Sequence, residues 1–179
     1  MTMAGGEELP EHSVDRIQEG VQWFEAHDIK PMFSVQSPSL SFLDRAVFAN
    51  GIAKWKPFWI AIQMGKHLDD QIFADPWSYI QVINNMSMVK ELLPDAFIGI
   101  HPGGRNWLPV AVMGIMYGCE LIRVGLEDQF YLYPHRDNIS QKASDTIELI
   151  AKIARDLGRE IATVDEVRQR TGIKFTSPK

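Results

Sequence analysis

Four short apolar runs, residues 30–36, 57–63, 96–101 and 121–126, recur along the chain, each followed by sequence of helical character. Runs of this length predict strands buried on both faces. The stretches between and after them, 39–52, 76–93, 107–117 and 140–157, predict helices. A leading helix is predicted over 14–28 from Ile17, Val21 and Phe24, with Ser13 placed to accept from its first free amides. Ile147, Ile150, Ala151, Ala154 and Leu157 fall on one stripe of the 140–157 helix, and Gly158 follows as a stop. Thr163 to Glu166 reads as a capping box that opens a last short helix ending near Gly172. Strands alternating with helices predict an α/β fold with a parallel sheet and right-handed crossovers. Four strands, or five if residues 1–4 end another, are too few to close an eight-stranded barrel, which takes about 250 residues. No Gly-x-Gly-x-x-Gly follows the first run, so a dinucleotide-binding sheet has no support.

The last run carries the chemistry. It continues as Leu121-Ile122-Arg123-Val124-Gly125-Leu126-Glu127-Asp128, which reads as a buried, centrally placed strand delivering two carboxylates and a guanidinium to one end. Strand periodicity would put Arg123, Gly125 and Glu127 on one face and Ile122, Val124 and Leu126 on the other. Parallel barrels keep their active sites at the C-terminal ends of the strands, so charge gathered there marks a candidate site. A structural Arg–Glu pair is the plainer alternative.

Composition narrows the functional classes. The chain has 179 residues, 45% hydrophobic and 10% aromatic, enough for the core of one ordinary domain covering 1–179. A net charge of -5 with dispersed Lys and Arg argues against nucleic acid as the main partner. The single cysteine, Cys119, sits among apolar residues, reads as a core residue and fits the reducing cytoplasm. No apolar run reaches the ~20 residues a membrane span needs, and the first ten residues show no basic-then-apolar signal.

Other candidates lie after the remaining strands. His101-Pro102-Gly103-Gly104-Arg105-Asn106 leads into a helix starting near Trp107 or Leu108; its glycines, the helix N-terminus and Arg105 suit a phosphate or carboxylate, or form a plain turn. The five histidines, His12, His27, His67, His101 and His135, show neither His-x-His nor i, i+4 spacing, so the chain holds no complete zinc site of its own. His67 and His101 follow strands, as site residues would. Asp69 and Asp70 could help bind a metal or simply be solvated. Ser34 and Gln36 are expected to point into the same lumen as Arg123 and to orient a ligand.

The string Arg123 to Asp128, the aromatic-Leu segment after it and the stretch 148–168 resemble the C-terminal part of the beta-keto acid cleavage enzymes. Gly104-Arg105-Asn106-Trp107-Leu108-Pro109 resembles that family's Gly-Arg-x-Gln-Leu-Pro segment, and the similarity runs over about 14–172. The resemblance implies the C-terminal half of a zinc-dependent (β/α)8 barrel, with the N-terminal half absent from this chain. It implies a Claisen-type exchange in which a beta-keto acid and acetyl-CoA, the co-substrate, give acetoacetate and a new acyl-CoA. Glu127 corresponds to a zinc-ligating glutamate, Asp128 to the acid/base aspartate and Arg123 to the arginine that works with it. Departures are equally plain. The family's His-x-His strand is missing, Pro31-Met32-Phe33-Ser34 replaces a Pro-Glu-x-Glu strand, and Gly65-Lys66-His67-Leu68-Asp69-Asp70 differs from the family's Gly/Pro-rich loop.

These readings lead to one part of a split enzyme, active with a partner chain that supplies the first strands and the histidines. An isolated half barrel would expose sheet edges and an apolar lumen. The alternatives are a non-catalytic or truncated family-derived subunit, and a small anion-binding α/β protein that uses Gly103 to Asn106.

Overall fold

The computed structural model describes residues 13–36, 44–66 and 72–173. Ser13 caps helix α1 (Val14–Ala26) as expected, its hydroxyl accepting from the Arg16 amide at 3.3 Å. Strands β1 (Met32–Val35) and β2 (Trp59–Met64) flank a π-type helical turn at Asp44–Phe48. Helix α2 (Pro76–Leu92) then begins with Pro76 in the first turn, where its missing N–H costs nothing, and with Asp75 accepting from the Ser78 amide at 3.0 Å. Strand β3 (Phe97–Pro102), helix α3 (Trp107–Met116), strand β4 (Leu121–Ile122), helix α4 (Ala143–Asp156) and helix α5 (Val164–Thr171) complete the order. Helix α5 has the predicted reciprocal cap: Thr163 donates its amide to Glu166 at 2.7 Å, and the Glu166 amide donates to the Thr163 hydroxyl at 3.3 Å. Gly172 closes it at φ 70°, a left-handed conformation suited to glycine.

All three strand pairings are parallel, in the order β1-β2-β3-β4. The fold is a partial α/β barrel. One face of the sheet, with Phe33, Val35, Ile60, Ile62, Met64, Ile98 and Ile100, packs with Val21 of α1 and Val82, Met86 and Val89 of α2 into the main core. The opposite face carries Ser34, Ala61 and Gly99 in register, with Gln63 paired to His101 one step on. A second cluster joins Trp107, Ala111 and Ile115 of α3 to Ile150 and Ala154 of α4.

Three expectations change. β4 stops at Ile122 instead of running to Leu126, because the chain turns, with the Asp128 amide reaching back to the Gly125 carbonyl at 3.0 Å. It is also an edge strand, paired only with β3 among the described residues. The stripe on α4 is half covered: Ile150 and Ala154 are buried, while Ile147 and Leu157 are 51% and 48% exposed. The possible strand at 1–4, His12, the first part of the 39–52 helix, His67, Asp69 and Asp70 lie outside the described residues. Among the described residues no helix is long and apolar enough to cross a membrane.

Candidate functional site

The chemistry collects where β2, β3 and β4 end. Beyond β2 the chain turns through Gly65, at φ 84°, a conformation costly for any side-chain-bearing residue. Beyond β3 lies Gly103, where a Cβ would stand 2.5 Å from Cγ of Lys66 and 3.2 Å from the Asp128 carbonyl oxygen. Only glycine allows these three turns to close on one another. The Gly103 amide donates to the Met64 carbonyl at 2.7 Å and the Gly104 amide to the Asp128 carbonyl at 2.9 Å. These hydrogen bonds fasten the 103–104 loop to the turn after β4.

Asp128 is the buried member of the group, its side chain 1% exposed. One carboxylate oxygen contacts the Lys66 ammonium, and the other lies 3.0 Å from Nε of Arg123. Glu127, its neighbour in sequence, has a side chain 77% exposed, with one oxygen 2.6 Å from the Arg123 guanidinium and the other 3.8 Å from Lys66. Strand alternation anticipated Arg123 beside Glu127. The turn does more, bringing Arg123 to both acids. Lys66 was missed because a lysine in a loop gives no periodic signal, and only the folded loop places it on Asp128.

His101 ends the group. It is 1% exposed, and neither ring nitrogen has a hydrogen-bond partner among the described residues. Burial, with a smaller contribution from the positive charge of Arg123, lowers its pKa from 6.5 to about 4, so the ring is neutral at physiological pH. A buried imidazole without a partner is costly unless a ligand supplies one. Ser34 lies on the same sheet face by parity, and its buried hydroxyl also lacks a hydrogen-bond partner among the described residues.

Arg105 is placed differently from the anion-binding expectation. Its guanidinium donates to the carbonyls of Pro134 at 2.9 Å and Arg136 at 3.3 Å and to the Asp137 carboxylate at 2.7 Å, and it lies 4.0 Å over the Tyr131 ring. It staples the loop after β4, and the Asp137 hydrogen bond raises its already high pKa. Gly103 and Gly104 likewise have their amides engaged by carbonyls. Asn106 donates to the Ile72 carbonyl at 2.8 Å instead of capping α3. Cys119 is buried, which pushes its thiol up to about 12 and removes it as a nucleophile at neutral pH.

Among the described residues no group of three His, Cys, Asp or Glu side chains converges as a metal site. Glu127 and His101 are the available donors near this cluster, and two cations already stand on the carboxylates. The described residues by themselves therefore do not fit the zinc that the family resemblance implies.

Comparison with known proteins places this geometry in context. The sequence profile described as beta-keto acid cleavage enzyme matches residues 1–173. The 3-keto-5-aminohexanoate cleavage enzyme of Fusobacterium nucleatum is 35% identical over 91 residues, covering 50% of this chain and 32% of that protein. The enzyme of the same name from Acetoanaerobium sticklandii is 36% identical over 73 residues, covering 39% and 24%. Thus the matched part spans about a third or less of each curated relative. Two solved structures of ObcA share the fold. The ligand-free form has a TM-score of 0.67 at 15% identity over 90% of this chain and 40% of that one. The ternary complex with a C4-CoA adduct and oxalate has a TM-score of 0.65 at 16% identity over 90% and 41%.

Proposed function

Because the chain belongs to the beta-keto acid cleavage enzyme family, we propose that it supplies the Asp128 end of a site that cleaves a carbon–carbon bond of a beta-keto acid by acyl exchange with acetyl-CoA, as one part of a split enzyme. The observation that carries this reading is a buried carboxylate gripped by a guanidinium and an ammonium at the C-terminal ends of parallel strands. Carbon between two carbonyl groups is acidic enough for a carboxylate base to deprotonate. Asp128 is the group for that transfer, since Arg123 and Lys66 hold its carboxylate in place while lone pairs beyond those two contacts remain able to accept a proton. Arg123 fixes the orientation of Asp128 through Nε. His101 offers an imidazole, and Ser34 a hydroxyl, to the polar groups of the substrate. Acetoacetate and the acyl-CoA of the remaining carbons are the products. No step is assigned to zinc, because the described residues do not complete its ligand set.

Further strands would pair with the two sheet edges that are open among the described residues, and a half barrel carrying them would complete the sheet. The test is to co-purify the chain with that half barrel, supply 3-keto acids and acetyl-CoA, and follow acetoacetate and new acyl-CoA by mass spectrometry. Exchange lost by at least a hundredfold in Asp128→Asn supports the reading. Undiminished exchange in Asp128→Asn, or none with any 3-keto acid in the completed assembly, overturns it. A second reading, a ligand-binding subunit without catalysis, is favoured by the fact that the two acids already have two internal cations. It predicts binding of the keto acid without turnover.

A further inference from the structure

We propose that Lys66 is a built-in cation of this site, standing beside Glu127 and Asp128 in the place a divalent metal ion would take, so that the site excludes metal while Lys66 is present. The four charges form a closed ring. Lys66 contacts Asp128 and stands 3.8 Å from Glu127; Arg123 is 3.0 Å from the other Asp128 oxygen and 2.6 Å from the other Glu127 oxygen. Each of the four carboxylate oxygens therefore faces a cation, and the ring is formally neutral. Two adjacent acids without such compensation would repel one another, which is the condition that draws a divalent ion into a carboxylate pair.

The position of Lys66 is built in rather than incidental. Its side chain is 13% exposed. Its Cγ occupies the space a side chain at Gly103 would need, so the stem is packed along the glycine loop with the ammonium delivered to the acids. The backbone turn at Gly65 precedes it, and a Cβ there would come within 2.6 Å of the Gly103 carbonyl oxygen. A metal ion approaching Glu127 meets the weakest link of the ring, the oxygen 3.8 Å from Lys66. Entry there would place two further positive charges next to an ammonium and a guanidinium. Removing the ammonium reverses the balance: Asp128 keeps Arg123, and one Glu127 oxygen is released to meet a cation.

The test is zinc affinity of the full chain, measured against a chromophoric chelator, with circular dichroism to verify folding. It reads metal binding rather than turnover, so it stands or falls separately from the acyl-exchange reading. The wild type should show no zinc binding in the micromolar range or tighter that depends on Glu127. Lys66→Met should bind zinc at least tenfold more tightly, and the gain should vanish when Glu127→Gln is added. Lys66→Arg, which keeps the charge, should behave as wild type. Lys66→Gln carries the same expectation as Lys66→Met should the methionine variant fail to fold. Micromolar or tighter zinc binding by the wild type that Glu127→Gln abolishes overturns the proposal without recourse to any lysine variant. So does an uncharged Lys66 variant whose zinc affinity is unchanged or weaker.

Discussion

Asp128 and Glu127 are consecutive residues that share Arg123, yet burial separates what each is worth. Asp128 is almost fully enclosed between two cations, so Asp128→Ala leaves an ammonium and a guanidinium facing each other and should cost about 3 kcal/mol of stability. Glu127 is largely solvated, and Glu127→Gln should cost less than about 1 kcal/mol. Urea denaturation of the two variants checks the contrast; equal losses would mean that the acids act as one unit. His101 sets a pH dependence. Its folded-state pKa of about 4 lies below the usual 6.5, so the unfolded chain takes up a proton that the folded one refuses. The stabilisation is full above pH 6.5 and is lost as pH falls towards about 4, a change of about 3 kcal/mol. His101→Gln should flatten that part of the stability curve, and an unchanged acid limb would assign it to other groups. The candidate residues Arg123, Glu127 and Asp128 were legible because they are crowded at the end of an apolar run. Lys66 was not, because its role depends on two loops meeting.

At the scale of elements, helix–sheet packing overrides local propensity. Gly114 lies within α3, where alanine is ordinarily the better helix former by about 1 kcal/mol. Here a Cβ would sit 2.6 Å from Cγ2 of Ile100 and 3.1 Å from Cδ1 of Ile122, so the glycine lets α3 approach β3 and β4. Gly114→Ala should therefore destabilise by about 1–3 kcal/mol, measurable as a lower denaturation midpoint. A stabilised variant would show that the helix can withdraw freely. The strand cores of β1, β2 and β3 and the caps of α1 and α5 followed from local pattern, because apolar runs and Ser or Thr caps are determined by near neighbours. The early stop of β4 did not, since Val124 to Leu126 continue the apolar pattern and only the return of the Asp128 amide to Gly125 bends the chain away.

For the whole molecule, the unfinished surface lies along β4. A groove of about 460 Å³ is lined by Leu121, Ile122 and Val124 together with Ile147, Ile161 and Val167. Ile147 and Ile161 are each 51% exposed. Apolar surface of this kind beside an edge strand favours association. The chain alone should sediment with a concentration-dependent mass, and Ile147→Glu with Ile161→Glu should shift it towards monomer without loss of helical signal. Sedimentation as a monomer at every concentration, for both forms, would show that this face needs no partner. The sequence by itself determined the alternation of strand and helix, the parallel sheet, the family and the acidic pair after the last strand, since each rests on spacing within a few residues or on a contiguous motif. Tertiary structure alone decided which acid is buried, that Lys66 completes its charge balance, that Arg105 is drawn into the loop after β4, and that the stripe of α4 is left half uncovered. Those outcomes depend on which distant segments meet across the ends and edges of the sheet, and no local pattern carries that information.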